Sequence, residues 1–523
     1  MSQDNKELNL STFKPISRRT AVQVAERSDS FNRFYPYDYY YKLNPVDRYN
    51  LKSLLLNNRE WVQSNRDSFI SKKPLWNTFY KDKANFISVD EPDFFLAINP
   101  VIQQQQSIET ANGARVFLNS KGLTMRGLIA KRLGFDAYVT DNQERGPEYF
   151  RNRVAAYDAV PGAGFYKRFK GNAVDYIDAR GSIFFNAAKY FHFQFGYDKN
   201  FIGSGYRSLF LSDFGNSYLF LKINTQVWKI SYQNLFMELV PQTLQISAGN
   251  KVLDKKYAAI HHLSVNVTPW LNLGLFEAVI FGRKNKYELS YLNPIIFLRG
   301  AEQQNGSADN AMVGFDFKAN AGHQGQFYGQ ILLDEFVLKE LRASNGWWGN
   351  KFGAQIGAKY IDAFDLENVD LQVEMNIIRP FTYSHFDSVA NYSHYNQPLA
   401  HPLGANFAEV IALIRYQPKP RLNTQLKAII WRQGVDSLNS NFGSDIFKLN
   451  GTRSAGEYGY TLAGGVKGSG LNLSGLISYE WKENLFVDGS LMYRHGKAIG
   501  AAQNTLMLTL GLRLNMTRRE YDY

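Results

Sequence analysis

The chain has 523 residues, no cysteine and a formal net charge of +12. Disulfides, thiolate metal sites and cysteine nucleophiles are therefore excluded, and Lys and Arg are spread without a basic block, which argues against nucleic acid as a partner. Although 45% of residues are hydrophobic, mean hydropathy is −0.34, and no stretch reaches the roughly 18–20 apolar residues a membrane helix needs.

Residues 1–90 are charged, rich in Asn, Ser, Lys and Arg, and lack period-2 alternation. Asn44-Pro45 reads as a helix N-cap with proline at the first helical position, and Tyr49, Leu54, Leu55, Trp61 and Val62 follow at roughly helical spacing. This segment is expected to form a small helical element on the periplasmic side or partly inside a barrel. Met1-Ser-Gln-Asp lacks the charged-then-apolar pattern of a secretory signal; for an exported barrel, that implies an export sequence already removed.

From about residue 91 onward the pattern becomes period 2. Strands are expected near 93–106, 122–130, 134–141, 174–186, 189–198 and 216–224. Between the last two, Gly203-Ser204-Gly205 lies beside Lys199 and Arg207. It lacks the Lys-Ser/Thr ending and the strand–loop–helix frame of a phosphate loop, so the glycines are expected to let an extracellular loop fold back into a barrel mouth. Arg207 remains a candidate contact for an anionic polymer.

Beyond Leu219, β-like segments are joined alternately by short and long connections. The short ones are 224–226, 268–270, 320–324, 363–367, 417–420 and 482–484; the long ones are 240–257, 284–309, 338–350, 379–404 and 434–458. Outer-membrane barrels show this asymmetry, with short periplasmic turns and long extracellular loops. Trp228, Trp270, Tyr360, Tyr416 and Trp481 lie close to the short turns, as an interfacial aromatic girdle requires. The final expected strand, Thr505–Leu514, places Leu506, Leu508, Leu510, Leu512 and Leu514 on one face and Thr505, Met507, Thr509, Gly511 and Arg513 on the other. Leucines suit lipid; Arg513 suits a wet lumen. Counting all segments yields about eighteen antiparallel strands over 91–523, with both ends of the barrel in the periplasm.

One strand breaks the alternation. In Leu271–Phe281, Glu277 falls on the lipid-type face with Leu271, Leu273 and Leu275. A bulge near Leu275-Phe276 would turn Glu277 into the lumen and move Phe276, Ala278 and Ile280 outward. That arrangement is the expectation.

The long loops carry the functional candidates. Tyr291, Asn293 and Arg299 in 284–309 supply a ring face and planar hydrogen-bonding groups suited to sugars. Trp347 and Trp348 form an adjacent aromatic pair in 338–350. His385, His394 and His401 are spaced as a mobile polar loop rather than a metal site. Asp334 and Glu335 point to opposite faces of one strand and cannot act as a catalytic pair. No nucleophile-elbow, zinc-helix or paired-carboxylate signature occurs. The reading is a non-enzymatic protein with neither cofactor nor metal.

Six segments carry a family likeness: Asn142–Tyr149, Asn200–Asp213, Glu288–Arg299, Ser307–Ala311, Leu332–Phe336 and His401–Phe407. Together they resemble the RemB-type gliding-motility outer-membrane proteins of the Bacteroidota; more distantly the chain is similar to the Wzi capsule-assembly family. The resemblance implies an eighteen-stranded barrel, plugged or occluded, acting at the cell surface with polysaccharide. The expected function is binding or assembling surface polysaccharide in gliding or attachment. Expected partners are outer-membrane lipid and lipopolysaccharide, the polysaccharide itself, and motility or secretion proteins through the N-terminal segment. The alternatives are a diffusion channel for saccharides or small solutes, separable by whether the lumen is open, and an accessory barrel docked to a secretion or motility complex.

Overall fold

A computed structural model describes residues 10, 12–34, 42–64, 66–110, 115–243, 252–437, 439–498 and 502–523. Residues 244–251 of the expected 240–257 connection lie outside the described residues. Among the described residues, eighteen strands of eight to seventeen residues, from Phe94–Glu109 (β1) to Gln503–Leu514 (β18), form one closed antiparallel barrel. Each strand pairs with its sequence neighbour, and β18 closes on β1 through Met507↔Glu109 to Leu514↔Ile102.

The two faces follow from side-chain alternation. In β18, Leu508 and Leu510 are 55% and 66% exposed, whereas Thr505, Met507 and Thr509 are buried towards the lumen. In Val369–Ile378 (β13), Val373 and Met375 are exposed, while Gln372, Glu374 and Asn376 point inward and are buried. An outward apolar band with a polar interior is the arrangement a bilayer demands. Trp228, Trp270, Tyr416 and Trp481 are exposed beside the short turns; Tyr360 is half-buried.

One turn differs from its expected place. Tyr218–Val227 (β6) continues its ladder with Ile230–Leu239 (β7) as far as Val227↔Ile230, so the reversal falls at Trp228-Lys229 instead of 224–226. Trp228 adopts a positive φ of 55° there. Asn and Thr at 224 and 225 look like turn formers, but cross-strand pairing holds them in the sheet.

Below the barrel lie helices Arg18–Phe34 (α1) and Pro45–Asn57 (α2). Asn44 caps α2 by accepting from the Val46 and Asp47 amides, and Asp47 accepts from the Asn44 amide, completing a capping box. Val22 and Ala25 of α1 pack on Leu55 and Leu56. The helix pair docks on the short-turn rim: Asn44 donates to Asn368 (3.0 Å), Tyr49 to Glu480 (2.5 Å) and Asn484 to Asn57 (2.8 Å). Sequence reading missed α1, because few apolar residues mark its buried side.

Candidate functional site

The lumen is closed by chain that re-enters it. Phe191–Asp198 (β5) is only eight residues long, and the connection 199–217 turns inward where it ends. Glu374 on the wall clamps that connection: its carboxylate accepts from the Tyr206 amide (2.6 Å), the Arg207 amide (3.0 Å) and the Tyr328 hydroxyl (2.9 Å). A Cβ at Gly205 would lie 2.4 Å from a Glu374 oxygen, so only glycine lets the backbone come this close. Gln330 repeats the device, accepting from the Leu209 amide (2.8 Å) and donating to the Ile202 carbonyl (3.0 Å). Phe13-Lys14 adds a short strand to Phe201-Ile202.

Two further segments complete the plug. The connection 379–406 reaches in, and Tyr383 and Tyr392 donate to the Leu209 and Phe210 carbonyls at 2.7 and 2.6 Å. The tail after β18 climbs back into the barrel, where Tyr521 donates to Glu144 (2.6 Å) and Lys427 to Asp522 (2.7 Å). Tyr206 also donates to Asp522, and Arg207 to its backbone carbonyl (2.5 Å). Burial opposes ionisation of Asp522, but Lys427 and Arg207 outweigh it and hold the carboxyl well below the usual range. Arg207 is thus only 8% exposed and engaged inside the lumen, not presented at the surface as expected. Arg513 faces the lumen and donates to Asp488 (2.8 Å).

Glu277 corrects the expected bulge. Leu271–Phe281 (β9) stays in unbroken register with Lys256–Asn266 (β8) and Asn310–Ala321 (β10). Phe276 faces inward and stacks on Phe210 at 4.3 Å, while Leu275 is 57% exposed. Glu277 therefore lies on the outer face. It is tolerated because the connection 282–309 folds over the wall outside it: Glu277 accepts from His261 Nδ1 and the Leu298 amide, both at 2.9 Å. Asn234, the next residue in the same cross-strand row, donates to the Pro294 carbonyl (3.0 Å). Glu277, Asn234 and the Nδ1 of His261 thus find partners under a flap, while His261 Nε2 stays buried without one.

The flap also decides three candidate residues. Tyr291 is fully buried against Phe281 and donates to Asp309 (2.7 Å), so its ring is packing, not an exposed sugar platform. Asn293 is exposed, its side chain accepting from the Ile295 amide (3.1 Å). Arg299 is 44% exposed and donates to Glu302 (2.8 Å).

At the rim, Trp347 and Trp348 are half-buried with ring centroids 6.1 Å apart. The Arg453 guanidinium stands 4.0 Å from the Trp348 ring, and Glu457 accepts from the indole nitrogen (2.6 Å). Tyr458 beside them is 51% exposed. The neighbouring 436–465 connection thus completes a patch that sequence reading credited only to the tryptophans. His385, His394 and His401 are engaged separately, and among the described residues no group of three His, Asp or Glu converges on a metal-binding geometry.

No protein-family model matches the chain, and no curated protein matches it in sequence. Among solved structures, the chain is similar to Wzi of Escherichia coli, an outer-membrane protein involved in group 1 capsule assembly and described as a carbohydrate-binding β-barrel. That match covers 99% of this chain and 96% of Wzi at 13% identity, with a TM-score of 0.58. OprD of Pseudomonas aeruginosa matches over 80% of this chain and 95% of its own at 11% identity and a TM-score of 0.44; OccAB2 of Acinetobacter baumannii matches over 80% and 97% at 8% identity and 0.45. At such identities the likeness is one of fold: the chain is a closed eighteen-stranded β-barrel of the outer-membrane type.

Proposed function

We propose that this barrel is a non-enzymatic surface protein that holds an acidic polysaccharide at its extracellular rim, in the service of attachment or gliding. The observation that carries the reading is the plug: three re-entrant segments pack across the lumen, which suits an anchor and works against a diffusion channel. Wzi, which shares the fold, is a carbohydrate-binding barrel, and that supports the same reading. The segments resembling RemB-type proteins add to it, because Asn200–Asp213 and His401–Phe407 are themselves plug elements.

Trp347, Trp348, Arg453 and Tyr458 form the primary contact in this reading, with Asn293 and Arg299 as outlying ones; Tyr291 supports the flap. Aromatic faces beside a cation suit repeated weak contacts with an anionic polymer, so binding grows through multivalency. The N-terminal helices remain the handle for a motility or secretion partner. The test is retention of alginate on immobilised, folded protein. Trp347→Ala/Trp348→Ala/Arg453→Gln together should abolish retention, single changes should weaken it only modestly, and salt should weaken the charged part. Full retention by the triple variant would place the polymer elsewhere.

A further inference from the structure

Beneath the plug, the lumen keeps a cavity of about 740 Å³. Its mouth is at the short-turn end: Ile361, just past Lys351–Tyr360 (β12), and Thr517, just past β18, both line it and both are exposed. Its roof is the underside of the 199–217 connection, including Phe201 and Tyr206. The 199–217 connection covers it from above and its exposed lining residues lie at the short-turn end, so a ligand is expected from the periplasm.

The lining is cationic. Lys14, Arg180, Lys199, Lys359 and Arg415 face three carboxylates, Asp198, Asp213 and Asp370. Arg180 is bound to Asp178 at 2.6 Å. Among the described residues, the other four have no carboxylate within 4.0 Å, and their partners are neutral. Lys199 donates to the Gly162 carbonyl (2.7 Å), Lys359 to the Ser204 carbonyl (2.7 Å) and Arg415 to the Gln372 amide oxygen (3.2 Å). The Lys14 ammonium stands 4.7 Å from the Phe201 ring. Lys14, Lys359 and Arg415 share this cavity without direct counter-charges and repel one another, and burial lowers the Lys199 ammonium to a pKa of about 7, so the arrangement gains most from a bound anion, which also favours the charged form of Lys199.

We infer that this vestibule is a second, periplasm-facing binding site for a short acidic oligosaccharide. The inference rests on the rim reading for its choice of a sugar. Three features favour that choice over a bare inorganic anion: the volume falls within the range of organic-ligand pockets, the cations are spread over several elements, and the Phe201 and Tyr206 rings with the Asn200 and Gln372 amides offer stacking and hydroxyl partners. The barrel would then hold acidic sugar on both sides of its plug.

The experiment is calorimetric titration of the folded full chain in detergent with trigalacturonate, with maltotriose as the neutral counterpart and inorganic phosphate as the bare anion. Wild type should bind trigalacturonate at least tenfold more tightly than either control. Lys14→Gln/Arg415→Gln should weaken it tenfold or more while keeping the heat-dependent gel shift of a folded barrel; if the pair does not fold, Lys14→Gln alone should show a smaller loss. Trp347→Ala/Trp348→Ala/Arg453→Gln should leave the titration unchanged, so the vestibule and the rim stand or fall separately. Equal binding of maltotriose, equal binding of phosphate, no binding by wild type, unchanged affinity in the Lys14 and Arg415 variants, or loss in the rim variant would each overturn the vestibule site.

Discussion

Glu277→Leu is the most discriminating perturbation of the outer wall. For a carboxylate facing lipid, the change should stabilise the barrel, since charges in the apolar band are costly. Here Glu277 is only 13% exposed and accepts from both His261 and the Leu298 amide. Replacing it leaves two buried donors unpaired at about 1–3 kcal/mol each. Burial of the leucine recovers about 1–2 kcal/mol, less than a full side-chain transfer because the site is shaped for a carboxylate. The difference spans about 0–5 kcal/mol and centres on a net loss of about 2–3 kcal/mol. Adding His261→Leu removes one orphaned donor along with its partner and should restore part of that loss. Urea unfolding in lipid vesicles, followed by tryptophan fluorescence, measures both changes, and protease cutting within 284–309 should rise in the single variant. A single variant as stable as wild type, or a double variant no more stable than the single one, would falsify the sealed-flap account.

Two further outcomes test the plug. Gly205→Ala places a Cβ 2.4 Å from a Glu374 oxygen and 2.8 Å from the Arg207 carbonyl, so the 199–217 connection must shift; planar-bilayer conductance, low in wild type, should rise, and unchanged conductance would show that this contact does not hold the plug. His394 is buried with both ring nitrogens used in the neutral form, Nδ1 accepting from the Val240 amide and Nε2 donating to the Ser217 carbonyl, and burial pushes its pKa down to about 3. The folded value lies below the unfolded one near 6.5, so the stability that neutral His394 confers is full above pH 6.5 and is lost as pH falls from there towards 3, by about 1.4 kcal/mol per unit. Protease cutting of 379–406 should therefore be greater at pH 5 than at pH 7, with the difference reduced in His394→Asn; equal cutting at both pH values would refute the link.

The barrel was legible in the sequence because its signals are local. Thr505–Leu514 alternates leucine with polar residues over ten consecutive positions, and a period of two needs no knowledge of neighbours to sort lipid from lumen. Short turns, long loops and turn-side tryptophans are likewise read within a few residues of one another. The Asn44-Pro45 cap was visible for the same reason. Only the tertiary structure decided what occupies each face. Arg207 meets Asp522 across 315 residues and Tyr291 is buried by a wall three strands wide, and neither partner leaves a mark beside the residue it neutralises. Glu277 shows the limit most plainly. Its outward position followed from simple alternation, but whether lipid or a folded-back loop covered it depended on a long-range contact, and the inserted bulge was a local remedy for a charge that a distant segment already satisfied.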